Sequence, residues 1–253
     1  MLGCLPGGLR RTMESDLRLS DATLAALNEV LAGLNKEKNS EAEDWSLNQF
    51  WYTEETTEAL LTEAIRASNG GRIAFLSAPS LYFLAQKRLV PNTVHLFEFD
   101  DRFACYGDDF THWDCNNPLN IPESLHHTFD FVFGDPPHLN TETAGSFLQA
   151  CELLARTPET PIAMITSTTL SDFVCRTMGG RPSIFPVKHK QLANPMTLYL
   201  SYESPAMPFD PFYPDYPLRH ERCNRRQTDF LDALFLHLSQ TSVLHREYLV
   251  EMP

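Results

Sequence analysis

Short apolar runs alternate with segments of helical periodicity through the middle of the chain, and this alternation predicts the fold. The apolar runs predict strands at residues 72–76, 94–98, 129–134, 161–166, 184–187 and 197–202. Helices are predicted from Thr53 to a turn at 69–71, in a segment that ends at Arg88, and at 101–108, 141–154 and 170–178. Strands that alternate with helices favour an α/β fold with a mostly parallel sheet covered on both faces. No helix separates the last two strands, so we expect an antiparallel hairpin at one edge.

The two ends of the chain differ in composition from its middle. Residues 1–18 lack an apolar stretch and are interpreted as a disordered leader. Leucines with helical spacing predict a first helix at 20–34, and the domain is expected to extend over residues 19–204. Residues 205–253 begin with a stretch rich in proline and aromatic residues, interpreted as an extended linker, and end in a predicted helix at 228–248.

The net charge limits the partners that the chain is expected to bind. Thirty-three acidic residues against twenty basic ones give a formal charge of −13, which is the wrong sign for a protein that binds phosphates. Nucleic acid is therefore not expected as a partner. The acidic stretch 14–66 favours a basic protein as partner, although a solvated acidic surface explains it equally well.

Cysteine usage and hydropathy indicate the compartment. The six cysteines form no CxxC pair and no histidine lies at zinc spacing, so neither a disulfide framework nor a metal site is expected. Scattered thiols are typical of a reducing compartment, and we expect a cytoplasmic monomer. No apolar run approaches the roughly 20 residues of a membrane span, so no membrane association is expected.

The loop Asp135-Pro136-Pro137-His138 follows a predicted buried strand, where ligands bind in open α/β sheets. Proline fixes the backbone and removes a donor, so the carbonyl groups of this loop become oriented acceptors beside the Asp135 carboxylate. Such a loop suits an amine that donates its N–H groups while its lone pair attacks, and the His138 ring can stack on it. A Pro-Pro turn with an N-capping aspartate is the alternative.

Three other segments at predicted strand ends suit a nucleoside. Glu98, with Asp100 beside it, is placed for ribose hydroxyls, and Asp114 is placed for an adenine amino group. Ser77-Ala78-Pro79 stands where dinucleotide-binding chains have glycines, and the chain has no phosphate-binding glycine motif. A cofactor that has ribose and adenine but no phosphate, S-adenosylmethionine, therefore fits best.

Several motifs together resemble the elongation factor 1-alpha lysine methyltransferase family, formerly grouped with N6-adenine methyltransferases. Asp-Pro-Pro-aromatic is common to many amino-methyltransferases, whereas Gln49-Phe50-Trp51-Tyr52 and Ser77-Ala78-Pro79-Ser80 are more specific. Residues 97–104, 117–119 and 192–194 also carry the resemblance, which extends from about residue 19 to Tyr202. The family has tyrosine or phenylalanine at the position of His138.

This resemblance implies a Rossmann-like class I methyltransferase with a seven-stranded sheet, S-adenosylmethionine as cofactor, and methylation of a lysine of elongation factor 1-alpha. Asp135, Pro136, Pro137 and His138 are then the expected catalytic loop. Trp51 and Tyr52 are expected to close over the cofactor or the lysine channel, unless they are core aromatic residues that hold the second helix on the sheet.

Two other functions stay open on the sequence alone. The acceptor can be the exocyclic amine of adenine in nucleic acid, although the charge of −13 weighs against it. Alternatively, the chain can be an inactive methyltransferase-like module that binds a partner through its acidic N-terminus or its proline-rich tail. His138 and the lack of glycine after the first strand are the features that favour this second alternative.

Overall fold

The computed structural model describes residues 49–192, 194–219 and 221 as seven strands and four α-helices. The strands are β1 (Ile73–Leu76), β2 (Val94–Glu98), β3 (Phe110–His112), β4 (Phe131–Gly134), β5 (Ile162–Ser167), β6 (Arg181–Pro182) and β7 (Met196–Leu200). The helices are α1 (Glu54–Ala67), α2 (Pro79–Arg88), α3 (Thr141–Leu154) and the short α4 (Ser171–Val174). No helix in these residues is long and apolar enough to span a bilayer.

The seven strands form one sheet in the order β3-β2-β1-β4-β5-β7-β6. Strands β1 to β5 are parallel to one another, and β7 runs antiparallel to both β5 and β6. This is the class I methyltransferase sheet with its antiparallel edge, as the resemblance implies. The strand order reverses between β1 and β4, and ligands bind in open α/β sheets at such a point.

Alternate residues along the central strands face opposite sides of the sheet, and both sides are covered by helices. Phe75 and Phe133 belong to the apolar cluster that includes α1 and α2. Their neighbours Leu76 and Val132 belong to the cluster that includes α3. Strands buried on both faces explain why the sequence shows continuous apolar runs here instead of alternation.

Local signals place the starts of the helices where the sequence predicts them. The Thr53 hydroxyl accepts a hydrogen bond from the Thr56 N–H at 3.3 Å, and Asn140 caps α3 through the Thr143 N–H at 2.8 Å. Pro79 begins α2, where its missing N–H costs no intrahelical bond. The turn after α1 contains Gly70 with φ of 80°, a backbone conformation that glycine adopts without strain.

One strand was not predicted, and one predicted strand and two predicted helices differ from the structure. Strand β3 was not predicted, because it has three residues at the sheet edge and none of them is buried. The strand predicted at 184–187 is wrong: β6 is Arg181–Pro182, and Ile184 is 57% exposed. The helix predicted at 101–108 is a 3₁₀ segment with a kink at Gly107. The helix predicted at 170–178 is the four residues of α4 followed by a π-helical turn.

The proline-rich residues 205–217 contain no helix or regular strand, as the sequence predicts, but they lie against the domain. The Asp210 N–H donates to the Pro182 carbonyl at 2.8 Å, so the segment covers the edge strand β6. The Arg181 side chain donates to the Tyr216 carbonyl at 2.7 Å and forms an ion pair with Asp215 at 2.6 Å. Residues 205–217 are therefore packed on the domain and do not form the extended linker that the sequence predicts.

The predicted leader and the helices predicted at 20–34 and 228–248 lie outside the described residues.

Gly180 is expected to be required for the packing of the sheet edge. A Cβ at this position would lie 2.7 Å from the Leu200 carbonyl oxygen, which belongs to the backbone of β7. Gly180→Ala should therefore lower the free energy of unfolding by about 1–3 kcal/mol, measured by denaturant titration. Gly145→Ala is the matched control, since its Cβ would meet Phe173 at an ordinary 3.5 Å inside α3. Equal effects of the two substitutions would contradict this account.

Candidate active site

A cavity of about 440 Å³ lies at the carboxyl ends of the parallel strands. Ser77 follows β1, Glu98 ends β2, and Asp135 follows β4, so the parallel sheet brings these three side chains to one edge. Two further segments close the cavity, residues 49–51 and the chain between β6 and β7. The lining residues are Gln49, Phe50, Trp51, Ser77, Pro79, Ser80, Glu98, Phe99, Trp113, Asp114, Cys115, Asn116, Asp135, Pro136, Pro137, His138, Leu139, His189, Leu192, Asn194 and Met196.

The Glu98 carboxylate is buried at the base of this cavity. One of its oxygens accepts the N–H of Phe99 at 3.0 Å and that of Asp100 at 3.4 Å, which orients the carboxylate. Burial raises the pKa of Glu98 to about 7, although these backbone hydrogen bonds counteract part of the effect. The group can therefore change its ionisation near neutral pH when a ligand binds.

The Asp135 loop combines a fixed backbone with a second carboxyl group of raised pKa. The Asp135 N–H donates to the Leu76 carbonyl at 3.0 Å, which continues the pairing of β4 with β1 beyond the strand end. Burial raises the pKa of Asp135 to about 7; the Tyr52 hydroxyl acts to lower it and the Glu98 carboxylate to raise it. Pro136 is buried, whereas His138 is exposed at the mouth of the cavity.

The turn after β1 reaches the cavity without a glycine. Ser77 has φ of 50°, in the left-handed region that non-glycine residues seldom adopt, and its N–H donates to the Phe97 carbonyl at 2.8 Å. Ala78 precedes α2 with no side-chain cap, and Pro79 follows. Ser77 and Pro79 line the cavity, whereas Ala78 is buried and does not. Strained non-glycine backbone of this kind is concentrated at functional sites.

Asp114 lines the cavity in a turn that its own carboxylate stabilises. Its Oδ1 atom accepts both the backbone and the side-chain N–H of Asn116, each at 2.8 Å. Trp113 is 1% exposed and packs edge-on against Phe147, with its indole N–H on the Pro118 carbonyl at 3.1 Å. It therefore supports the turn mainly from the core.

Two other residues predicted to contact a cofactor lie away from the cavity wall. Asp100 accepts hydrogen bonds from the Arg102 N–H at 2.9 Å and from the Arg102 side chain at 2.8 Å. Burial acts to raise the pKa of Asp100, but these contacts lower it below its usual value. Tyr52 is 2% exposed and belongs to the apolar core. Only its neighbour Trp51 lines the cavity, packed against Phe83 at 5.4 Å between ring centroids.

The charged side chains that line the cavity are all acidic among the residues that the structure describes. They are Glu98, Asp114 and Asp135, and neither a lysine nor an arginine joins them in the described lining. A site of this composition favours cations and disfavours phosphate groups.

Comparison with known proteins decides which family has this site. A family model described as probable N6-adenine methyltransferase matches residues 43–204, which is more than half of the chain. The chain belongs to this methyltransferase family. It is also 36% identical over 201 residues to EEF1A lysine methyltransferase 1 of Mus musculus, which covers 74% of this chain and 92% of that protein. The resemblance noted in the sequence is thereby confirmed.

Other relatives of this methyltransferase extend the comparison. A protein-lysine N-methyltransferase of Drosophila melanogaster is 38% identical over 168 residues, covering 57% of this chain and 73% of that protein. Among solved structures, the branched-chain polyamine synthase of Thermus thermophilus aligns with 73% of this chain and 65% of its own, at 16% identity and a TM-score of 0.49.

Several residues of the methyltransferase site were missed from the sequence. Phe99 is 50% exposed and lines the cavity directly after Glu98, where it offers a flat apolar surface. Gln49 is buried, donates to Asp100 at 3.2 Å and accepts from Arg102 at 3.1 Å. His189 and Asn194 come from the irregular chain before β7. The motifs containing Gln49 and Asn194 were noticed as parts of the resemblance, but nothing local indicated that they face Glu98 and Asp135.

Proposed function

We propose that this chain transfers methyl groups from S-adenosylmethionine to a lysine side chain of translation elongation factor 1-alpha. The named relatives support the reaction and the substrate, since they are called EEF1A lysine methyltransferase 1 and protein-lysine N-methyltransferase. The observation that carries the proposal is the cavity at the strand ends, whose described charged groups are all carboxylates.

An acidic cavity suits both partners of this transfer. The sulfonium of the donor is positively charged, and positive charge develops on the lysine nitrogen as the methyl group arrives, so nearby carboxylates stabilise both. A nucleic acid would bring phosphates to the same cavity, whose lining carboxylates Glu98, Asp114 and Asp135 disfavour them. The net charge of −13 on the whole chain also disfavours binding of nucleic acid.

The residues of the cavity fit S-adenosylmethionine. Glu98 would accept hydrogen bonds from ribose hydroxyls, Asp114 would accept one from the adenine amino group, and Phe99 would cover the base, since all three line the cavity. The turn at Ser77 and Pro79 keeps the chain near the cofactor without phosphate-binding glycines. When bound, this cofactor supplies an electrophilic methyl group on a cationic sulfur.

The Asp135 loop would receive the lysine amine. The Asp135 carboxylate and the Pro136 carbonyl accept N–H groups, while Pro136 and Pro137 contribute no competing backbone N–H. Positive charge grows on the nitrogen as the methyl group arrives, so these oxygens stabilise the transition state more than the neutral amine. Burial in the cavity favours the neutral amine before attack. His138 offers an exposed flat ring where the family has tyrosine or phenylalanine.

The remaining sequence predictions are part of the same proposal. We propose residues 19–204 as the methyltransferase domain, with the family match over 43–204 in support. The chain is proposed to work as a cytoplasmic monomer, and the acidic stretch 14–66 is proposed to meet a basic surface of the protein substrate. Residues 205–253 are proposed as an appendage whose first part lies on the domain edge.

Methyl transfer to unmodified elongation factor 1-alpha tests the function. Purified protein and labelled S-adenosylmethionine should put label on a lysine of that factor, located by mass spectrometry. Adenine-containing DNA and RNA, each tested at moderate salt, should remain unlabelled because the acidic cavity repels phosphates. Label on nucleic acid with none on the protein would reverse the assignment of the acceptor. Binding of the donor without transfer to any of them would favour an inactive binding module.

A further inference from the structure

Tyr52 is held rigidly behind the wall of the cavity. Residues 51–53 pair with 188–190 through an antiparallel bridge between Tyr52 and His189. The Thr53 N–H donates to the Lys188 carbonyl at 2.9 Å, and the Lys190 N–H donates to the Trp51 carbonyl at 3.0 Å. The Tyr52 and His189 rings lie 4.6 Å apart between centroids. Trp51 and His189 line the cavity, whereas Tyr52 lies in the apolar core behind it.

The hydroxyl of Tyr52 is a buried donor that no other described group satisfies in good hydrogen-bond geometry. Burial raises the pKa of Tyr52 well above its usual value, and the neighbouring Asp135 carboxyl raises it further. The hydroxyl therefore keeps its proton throughout the physiological range. Because buried donors are almost always paired, a small movement of either side chain is expected to direct this O–H to Asp135.

We propose that Tyr52 is a positioning residue for Asp135: its buried hydroxyl donates to the ionised carboxylate and aims it at the substrate amine. This inference rests on the proposed function, in which Asp135 accepts the N–H groups of that amine. It replaces the expected contact of Tyr52 with the cofactor, since Tyr52 does not line the cavity. A protonated Asp135 gains less from this donor, so the hydroxyl selects the carboxylate form.

Titratable side chains from several segments lie beside Asp135 or line the same cavity, Asp114 and Cys115 after β3 among them. Tyr52 approaches from the segment before α1, and Glu98 from the end of β2. His138 follows on the same loop, and His189 lines the cavity from the chain before β7. Burial and Glu98 disfavour ionisation of Asp135, and Tyr52 opposes them. Removal of the Tyr52 hydroxyl should therefore raise the pH at which Asp135 ionises.

The test is the pH dependence of kcat for Tyr52→Phe, which keeps the ring, its packing and its contact with His189. The acidic limb of the profile should move to higher pH by about one unit, because a hydrogen bond to a charged group is lost. The loss of rate should be smallest at high pH, where Asp135 is ionised in both proteins and only its orientation differs. A similar loss at every pH, with an unmoved midpoint, would show a merely structural role and overturn the proposal.

Two further variants assign the effect to the Tyr52–Asp135 pair. In an Asp135→Asn background the carboxyl that Tyr52 would meet is absent, so adding Tyr52→Phe should leave the remaining pH dependence, including that of Glu98, unchanged. Tyr82→Phe is the matched control: Tyr82 is buried in the same apolar cluster, and its hydroxyl accepts from Gln86 at 2.9 Å. A shifted acidic limb in Tyr82→Phe would contradict the assignment.

A measurement without methyl acceptor separates this inference from the proposed function. Carbon-13 NMR of the Asp135 carboxyl, assigned by its loss in Asp135→Asn, gives its midpoint in the free protein. That midpoint should be higher in Tyr52→Phe, whatever the acceptor is. An unchanged midpoint of the Asp135 titration in Tyr52→Phe would contradict the positioning role of Tyr52, even if the enzyme is active. Conversely, if the unmodified protein transfers no methyl group to elongation factor 1-alpha, the proposed function is wrong. The NMR titration of Asp135 still tests the role of Tyr52 in that case.

Discussion

Asp135→Ala is expected to reduce kcat for methyl transfer at least about a hundredfold, as for other groups that stabilise charge in a transition state. Asp135 lines the cavity directly after β4, and its backbone N–H is fixed to Leu76. Alanine removes the carboxylate that meets the growing positive charge on nitrogen, but leaves the Pro136 carbonyl in place. The measurement is single-turnover transfer from labelled donor at saturating acceptor.

Binding of the donor distinguishes a catalytic from a structural role of Asp135. The dissociation constant of S-adenosylmethionine, measured by calorimetry, should change by less than about fivefold in Asp135→Ala, which is about 1 kcal/mol. Glu123→Ala is the control for a lost acidic charge, since Glu123 is exposed and does not line the cavity. Equal losses of binding and transfer in Asp135→Ala would mean that this residue supports the fold or the cofactor instead.

Glu98→Ala is expected to weaken the binding of S-adenosylmethionine by about ten- to a hundredfold, because hydrogen bonds to a charged group contribute about 1.5–3 kcal/mol. Glu98 is buried at the base of the cavity, with its carboxylate oriented by the N–H groups of Phe99 and Asp100. The remaining lining has no other acid at the end of β2 to receive the ribose hydroxyls. Calorimetry on the free protein measures the effect.

The pH dependence of this binding follows from the raised pKa of Glu98. The carboxylate is the better acceptor, and its pKa in the free protein is about 7. Affinity should therefore rise as the pH increases through about 7 and fall below it, with uptake of the donor releasing a proton. Glu98→Gln should show a flatter profile. Affinity independent of pH between 5 and 8 in the unmodified protein would count against this role of Glu98.

Glu98→Gln is also expected to raise the free energy of unfolding, although it weakens binding of the donor. A carboxyl group whose folded pKa is raised loses its contribution to stability as the pH rises from its unfolded pKa to its folded pKa, here about 7. Above pH 7 the glutamine variant should therefore be more stable than the unmodified free protein, by on the order of 1–3 kcal/mol. Weaker binding together with greater stability is the pattern expected of a residue kept for function.

The local sequence was sufficient to predict those features of the fold that depend on a single helix or strand. Thr53, Pro79 and Asn140 begin helices because their side chains or fixed backbone satisfy the first turn. The apolar runs at β1, β2, β4 and β5 are strands buried on both faces. The site residues at the ends of these strands follow from the same reasoning, since parallel strands bring their carboxyl ends to one edge.

Contacts between segments that are distant in the chain could not be predicted from the local sequence. Strand β3 exists because the chain returns beside β2, and β6 is Arg181–Pro182 because those residues pair with Leu200 and Tyr199 of β7. The stretch 184–187 looks more like a strand, yet it has no partner in the sheet within the described residues. Similarly, the proline-rich stretch lies on β6 through backbone hydrogen bonds that could not be predicted from its composition.

The sequence by itself determined the alternation of strands and helices, the acidic character of the chain, and the positions of Glu98 and Asp135 at strand ends. Its motifs also indicated the family. Tertiary structure alone decided that Gln49 meets Asp100, that Phe99 lines the cavity, and that the Tyr52 hydroxyl lies beside Asp135. Periodicity and capping act over a few neighbouring residues, whereas burial, pKa and side-chain contact depend on which distant segments pack together.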